Sequence, residues 1–152
     1  MPPELAEQIA AAQFSHVYYF ATPQIAKNSS GTWNVSLFNE FCSFYVRGFS
    51  EVVRAAARAP GAESLTALYP STVFLDQPEK GFAEYCAAKA AGETLCDHLA
   101  LNAARFVVQR PRLARMKTDQ NSSVLGPDAA DPYPAMALLL QDFCGWQART
   151  PQ

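Results

Sequence analysis

Tyr85 and Lys89 stand four residues apart in the stretch Glu84-Tyr85-Cys86-Ala87-Ala88-Lys89-Ala90-Ala91. The surrounding pattern predicts a helix from about Phe82 to Leu101, and helix positions i and i+4 share a face. A neighbouring ammonium favours the ionised form of a phenol, so the pair is expected to lower the tyrosine pKa. Tyr85 is then a candidate general acid or base near neutral pH. The same two residues also suit an ordinary amphipathic helix whose Tyr and Lys border its polar edge. What surrounds the pair decides between these readings.

Upstream, Ser64 to Phe74 reads as a buried strand that carries two hydroxyls, Ser71 and Thr72, near its end. Downstream, Ala104 to Arg110 reads as a second strand, stopped by Pro111. Strand, hydroxyl pair, Tyr-x-x-x-Lys helix, strand and proline, in that order, resemble the short-chain dehydrogenase/reductase family. The resemblance implies that Tyr85 is the proton donor and that Lys89 tunes it and binds the nicotinamide ribose. It also implies a carbonyl-orienting serine or threonine about 13 residues before the tyrosine. Thr72 lies 13 residues before Tyr85 and Ser71 lies 14 before it, and both remain candidates.

Further roles follow from the resemblance alone. NAD(P)H is the implied cofactor, passed by Ala21 and Thr22 at the end of an earlier strand and by Pro111. Thr118 takes the place of a threonine that contacts the nicotinamide amide, and Arg112 replaces a glycine that relatives usually show after the proline. Tyr45, in Tyr45-Val46-Arg47-Gly48, stands where many relatives place an active-site asparagine. The run from Arg112 to Gln120 looks like ketoreductase-type members attached to polyketide or peptide synthases. The implied substrate is therefore a small-molecule or carrier-bound carbonyl compound.

Bulk properties narrow the alternatives. The chain has 152 residues, 49% of them hydrophobic and 17% charged, which suits one folded domain with a real core. A net charge of −2 without a basic cluster argues against a nucleic-acid partner. No apolar run approaches the ~20 residues of a membrane helix, and no signal peptide is visible, so a cytoplasmic location is expected. Cys42, Cys86, Cys96 and Cys144 lack metal-site or redox-motif spacing and read as reduced thiols.

Along the chain, Pro3 to Ala12 reads as a short helix. His16 to Ala21 reads as a strand covered on both faces, stopped at Thr22-Pro23. Lys27 to Thr32 is a loop, and a long helix runs from about Ser36 to Arg58 with Pro60-Gly61 ending it. Phe74 and Phe82 flank the loop before Tyr85 and are candidate substrate contacts. Asn121 to Pro134 reads as a loop suited to a substrate lid, and Pro134 to Gln147 as a final amphipathic helix. The Ala-rich face of the Tyr85 helix suits close packing against a partner, and relatives commonly dimerise through this helix and the preceding long one.

The expected fold is α/β: three to four parallel strands flanked by helices, half of a Rossmann-like doubly wound sheet. Residues 1–152 correspond to the carboxyl-terminal, catalytic half of such a domain. No glycine-rich turn of the dinucleotide-binding βαβ unit occurs in the sequence. The chain is therefore expected to act as a fragment or subunit, as a homo-oligomer or in complex with an amino-terminal half. Its expected function is NAD(P)H-dependent carbonyl reduction or the reverse oxidation. The alternative is a structural or interaction subunit that has lost the chemistry.

Overall fold

The computed structural model describes residues 1–25, 28–59, 64–114 and 131–147. In chain order the elements are α1 (Pro3–Ala11), β1 (His16–Tyr18), α2 (Val35–Cys42), α3 (Phe49–Ala56), β2 (Leu65–Leu68), β3 (Ser71–Thr72), α4 (Ala83–Ala100), β4 (Phe106–Gln109), β5 (Arg112–Leu113) and α5 (Pro132–Gln147). Strands β1, β2 and β4 pair in that spatial order, all parallel, with His16 opposite Thr66 and Leu65 opposite Phe106. The connections between these parallel neighbours run through helices, as parallel pairing requires. This is the α/β arrangement expected from the sequence.

The predicted single strand Ser64–Phe74 is divided. Pro70 has no N–H to give a ladder, and it separates β2 from β3. Pro111 makes the matching break between β4 and β5. Pairing resumes beyond both prolines, with Ser71 opposite Arg112 and Thr72 opposite Leu113. Backbone bonds across the gap, Tyr69 N–H to the Gln109 carbonyl and Ser71 N–H to the Pro111 carbonyl (each 2.8 Å), keep the two ladders continuous. The chain then leaves the sheet because the Thr72 hydroxyl accepts the Phe74 N–H, opening a 3-10 turn over Val73–Leu75.

Strand β1 is shorter than predicted and is not covered on both faces. Val17 and Tyr19 are buried, whereas Tyr18 and Phe20 are 41% and 48% exposed. The pleat sends alternate side chains to opposite faces, and here only the helical layer gives full cover. On the other face Phe143 of α5 meets the Tyr18 ring edge-on at 5.1 Å.

The long helix predicted over Ser36–Arg58 exists as one helical run with a wider turn inside it. Asn34 caps its start by accepting the Leu37 N–H at 3.0 Å. Between α2 and α3, Ser43–Gly48 is π-helical. Widening frees carbonyls from the ordinary ladder, and the Tyr19 hydroxyl donates to one of them, Phe44 O, at 2.7 Å. Gly48 makes room for that contact, since a Cβ there would sit 2.5 Å from Tyr19 Oη. The proposed terminator Pro60-Gly61, the stretch 115–130 with Thr118, and the side chains of Cys144 and Trp146 lie outside the described residues. Pro132, expected in the lid loop, already belongs to α5.

The core lies between the sheet and the layer of α2, the π-helical turn, α3 and α4. Phe41, Tyr45, Phe49, Val53, Leu65, Ala67, Tyr69 and Ala88 are among its buried members. Tyr69 seats its ring against Gly92 of α4, and a Cβ there would fall on Tyr69 Oη and lie 3.1 Å from the Tyr45 carbonyl oxygen. Gly92→Ala gains about 1 kcal/mol of helix propensity, but overpacking costs about 1–3 kcal/mol and more where backbone blocks relief. A net loss of about 2 kcal/mol is expected in chemical denaturation. An unchanged midpoint means that the tyrosine swings aside freely.

Cys42, Cys86 and Cys96 are free thiols. Among the described residues no helix is long and apolar enough to cross a membrane.

Candidate active site

The site begins at the amino end of α4. Glu84 is buried and accepts the Asn28 side-chain amide at 2.6 Å and the Asn34 N–H at 2.7 Å. Burial pushes its carboxyl up, but the backbone N–H groups of Asn34 and Glu84 and the Asn28 amide outweigh that, holding it below the ordinary range. The carboxylate also stands in the first turn of the helix, where the dipole favours negative charge. It fastens the loop before α2 to the start of α4, and so fixes the next residue, Tyr85.

Tyr85 is 7% exposed and is met edge-on by four rings: Phe41 (5.6 Å between centroids), Tyr45 (5.7 Å), Phe74 (6.4 Å) and Phe82 (6.5 Å). Its phenol is pushed up to about 12 by burial, with the hydrogen bond from Thr72 pulling the other way. The expected lowering by Lys89 is therefore overturned. Desolvation of a phenolate inside a ring of aromatics is the largest influence on it.

Lys89, one turn on, is also buried, and its ammonium donates to the Pro70 carbonyl at 2.6 Å. It stands 3.9 Å from the centroid of the Tyr45 ring, 5.0 Å from Tyr69 and 5.9 Å from Tyr85. Burial depresses it to about 7, against the opposing influence of Cys96 and Glu93.

The two hydroxyls diverge. Thr72 draws the Tyr85 phenol's pKa downward against burial, whereas Ser71 donates to Glu93 Oε1 at 2.6 Å. Adjacent residues of an extended segment point to different sides, which is why one position serves the phenol and the other does not. Glu93 is buried and also takes Arg112 through Nε and Nη2 at 2.8 and 2.7 Å, and Arg110 at 3.2 Å. Arg112, Ser71 and Arg110 together hold the Glu93 carboxyl below its usual range against burial. Arg112 further pairs with Asp76 in the loop after β3. In place of a glycine, the chain has a clamp joining α4, β5 and that loop.

Of the other proposed contacts, Phe74 and Phe82 lie together at 5.0 Å beside Tyr85. Ala21 is exposed. Thr22 donates to the Pro23 carbonyl at 3.0 Å and meets the Tyr45 hydroxyl. The Pro111 carbonyl accepts the Ser71 N–H. Sequence reasoning missed Glu84, the Glu93–Arg112 clamp and the Tyr45 ring above Lys89. Glu93, four residues after Lys89, carried a signal, but helix spacing points to a pair between those two residues. Which cation it meets was settled by β5.

The donors suit the nicotinamide-ribose end of a dinucleotide: a buried amine with N–H groups beyond its one carbonyl partner, and a phenol one turn away. Among the described residues no glycine-rich turn forms a pyrophosphate cradle.

No family model matches the sequence, and no curated protein matches it. Solved structures do. A bulky-bulky ketone specific alcohol dehydrogenase from Comamonas testosteroni superposes with a TM-score of 0.75 at 17% identity, over 93% of this chain and 56% of that one. A short-chain dehydrogenase from Shigella flexneri, complexed with NADP, gives 0.76 at 18%, over 92% and 62%. One from Escherichia coli, complexed with NADPH, gives 0.73 at 16%, over 94% and 65%. The chain thus spans less than two thirds of the length of these proteins. With β1, β2 and β4 parallel and α4 laid across them, it has the fold of the short-chain dehydrogenases/reductases over somewhat more than half of that fold's length.

Proposed function

We propose that this chain is the catalytic half of an NAD(P)H-dependent oxidoreductase that interconverts carbonyl compounds and alcohols. The observation that carries the reading is the gathering of Tyr85, Thr72 and Lys89 beside the Phe74 and Phe82 rings. The dinucleotide, when bound, supplies or accepts the hydride at the carbonyl carbon. Tyr85 gives its phenolic proton to the carbonyl oxygen, and its raised pKa keeps that proton in place at neutral pH. The phenolate left behind is stabilised by the Thr72 hydroxyl and by the Lys89 ammonium, then reprotonated from solvent. Lys89 also offers N–H donors to the ribose, while Phe74 and Phe82 hold the apolar part of a free or carrier-bound substrate.

The pyrophosphate end of the cofactor would be held by a dinucleotide-binding half or by a second chain. Carbonyl reduction by the chain assembled with such a half, followed by NADPH absorbance, tests this. Thr72→Ala is expected to lower the rate at least tenfold and Ser71→Ala much less, because Thr72 acts on the phenol while Ser71 is committed to Glu93. A folded assembly that binds dinucleotide but reduces no carbonyl compound supports the non-catalytic alternative instead.

A further inference from the structure

We infer that Tyr45 is a positioning residue for Lys89, its ring face being the surface against which the buried ammonium is held and its charged form favoured. The inference deepens the reading of Tyr85 and Lys89 as the reacting pair, yet its geometry does not depend on any activity. An ammonium has three N–H donors. Among the described residues Lys89 places one on a hydrogen-bond acceptor, the Pro70 carbonyl. No carboxylate completes the set: Glu93 is committed to Ser71, Arg110 and Arg112. Besides the Cys96 thiol, what the nitrogen meets is aromatic. Attraction to a ring face acts within about 6 Å and weakens with distance. Tyr45 at 3.9 Å therefore outweighs Tyr69 at 5.0 Å and Tyr85 at 5.9 Å.

The Tyr45 ring is itself built into place. It stacks on Phe41, 5.9 Å between centroids and 11° from parallel. Its hydroxyl meets Thr22 Oγ1, and since the single Thr22 hydrogen goes to the Pro23 carbonyl, the tyrosine is the donor. It rides on the π-helical turn that Tyr19 and Gly48 support, and is almost fully buried. Burial keeps the Tyr45 phenol protonated, so it presents a neutral π face and not a phenolate. The titratable groups around Lys89 are then Tyr45 from the π-helical turn, Tyr69 after β2, and Tyr85, Glu93 and Cys96 from its own helix. The Cys96 thiol is raised to about 12 by burial, which leaves Glu93 as the ionised member.

The test is a nuclear magnetic resonance titration of Lys89 in the 152-residue chain carrying isotope-labelled lysine, assigned by loss of the signal in Lys89→Met. In the wild type the Lys89 Cε protons are expected upfield of ordinary lysine, with Overhauser contacts to the Tyr45 ring. Tyr45→Phe keeps the ring and is expected to keep both the shift and the titration. Tyr45→Leu removes the face and is expected to lower the Lys89 pKa by about one unit. A merely structural tyrosine costs stability without moving that titration, so equal pKa values in Tyr45→Leu and wild type overturn the proposal. If Tyr45→Leu does not fold, ordinary Cε shifts without contacts to Tyr45 in the wild type overturn it equally. No substrate or dinucleotide enters the measurement, so failure of carbonyl reduction leaves its outcome untouched.

Discussion

Tyr85→Phe is expected to lower kcat for carbonyl reduction by about 10²–10⁴-fold in an assembly that holds the dinucleotide. The substitution removes one oxygen and keeps the ring. The edge contacts with Phe41, Tyr45, Phe74 and Phe82 therefore survive, and little stability is expected to be lost. Loss of rate without loss of fold is the signature of a missing proton donor. Because the phenol sits near 12 and Lys89 near 7, activity in the reducing direction is expected to fall first as the Lys89 ammonium loses its charge above neutral pH, while the Tyr85 proton is still in place. Steady-state kinetics across pH, with the denaturation midpoint of each variant, check both points. More than a tenth of wild-type activity in Tyr85→Phe removes this residue from the mechanism.

The second large effect is on stability and comes from Lys89. Its pKa falls from an ordinary 10.5 to about 7 on folding, through burial. Below pH 7 both states hold the proton and the native state bears the cost of a desolvated ammonium. Between pH 7 and about 9 the unfolded chain binds the extra proton, so stability rises with pH, by up to about 1.4 kcal/mol per unit. Above about pH 9 the sign reverses. Cys42, Cys86 and Cys96, and at higher pH Tyr19, Tyr45, Tyr69 and Tyr85, are raised by burial and keep protons that the unfolded chain gives up. Urea titrations are expected to show a maximum near pH 9, with a gain of roughly 2 kcal/mol over pH 7. Lys89→Met is expected to be more stable than wild type at pH 7 and to show no rise between pH 7 and 9, having no ammonium to bury. Superposable pH profiles for the two proteins exclude the buried, depressed lysine. The residue that the proposed chemistry needs is thus one that the fold holds at a cost.

Gly92 and Gly48 show the same economy of space without charge. Each lets a tyrosine from the sheet reach under a helix, Tyr69 in one case and Tyr19 in the other. Tyr69 Oη is left with no hydrogen-bond partner among the described residues. Its ring area against Phe49, 4.9 Å away, therefore carries its contribution to the core.

The sequence by itself determined the order of elements and the pairing of Tyr85 with Lys89. Both follow from local rules: hydrophobic periodicity, prolines that end strands, and the four-residue repeat that places side chains on one helix face. It also placed a hydroxyl about 13 residues upstream, but could not say which of two neighbours faces the phenol. That is a matter of which way the strand is turned: beyond the break at Pro70, Ser71 is committed to Glu93, while Thr72 acts on the Tyr85 phenol. Tertiary structure alone decided the electrostatics. Spacing brings an amine near a phenol, but burial depends on Phe41, Tyr45, Phe74 and Phe82, which arrive from other elements. Their combined desolvation raised Tyr85 where proximity alone lowers it. In the same way Glu93 lies one turn from Lys89 in the sequence yet belongs to Arg112 in the fold, because a planar guanidinium from β5 meets a carboxylate with two donors at once.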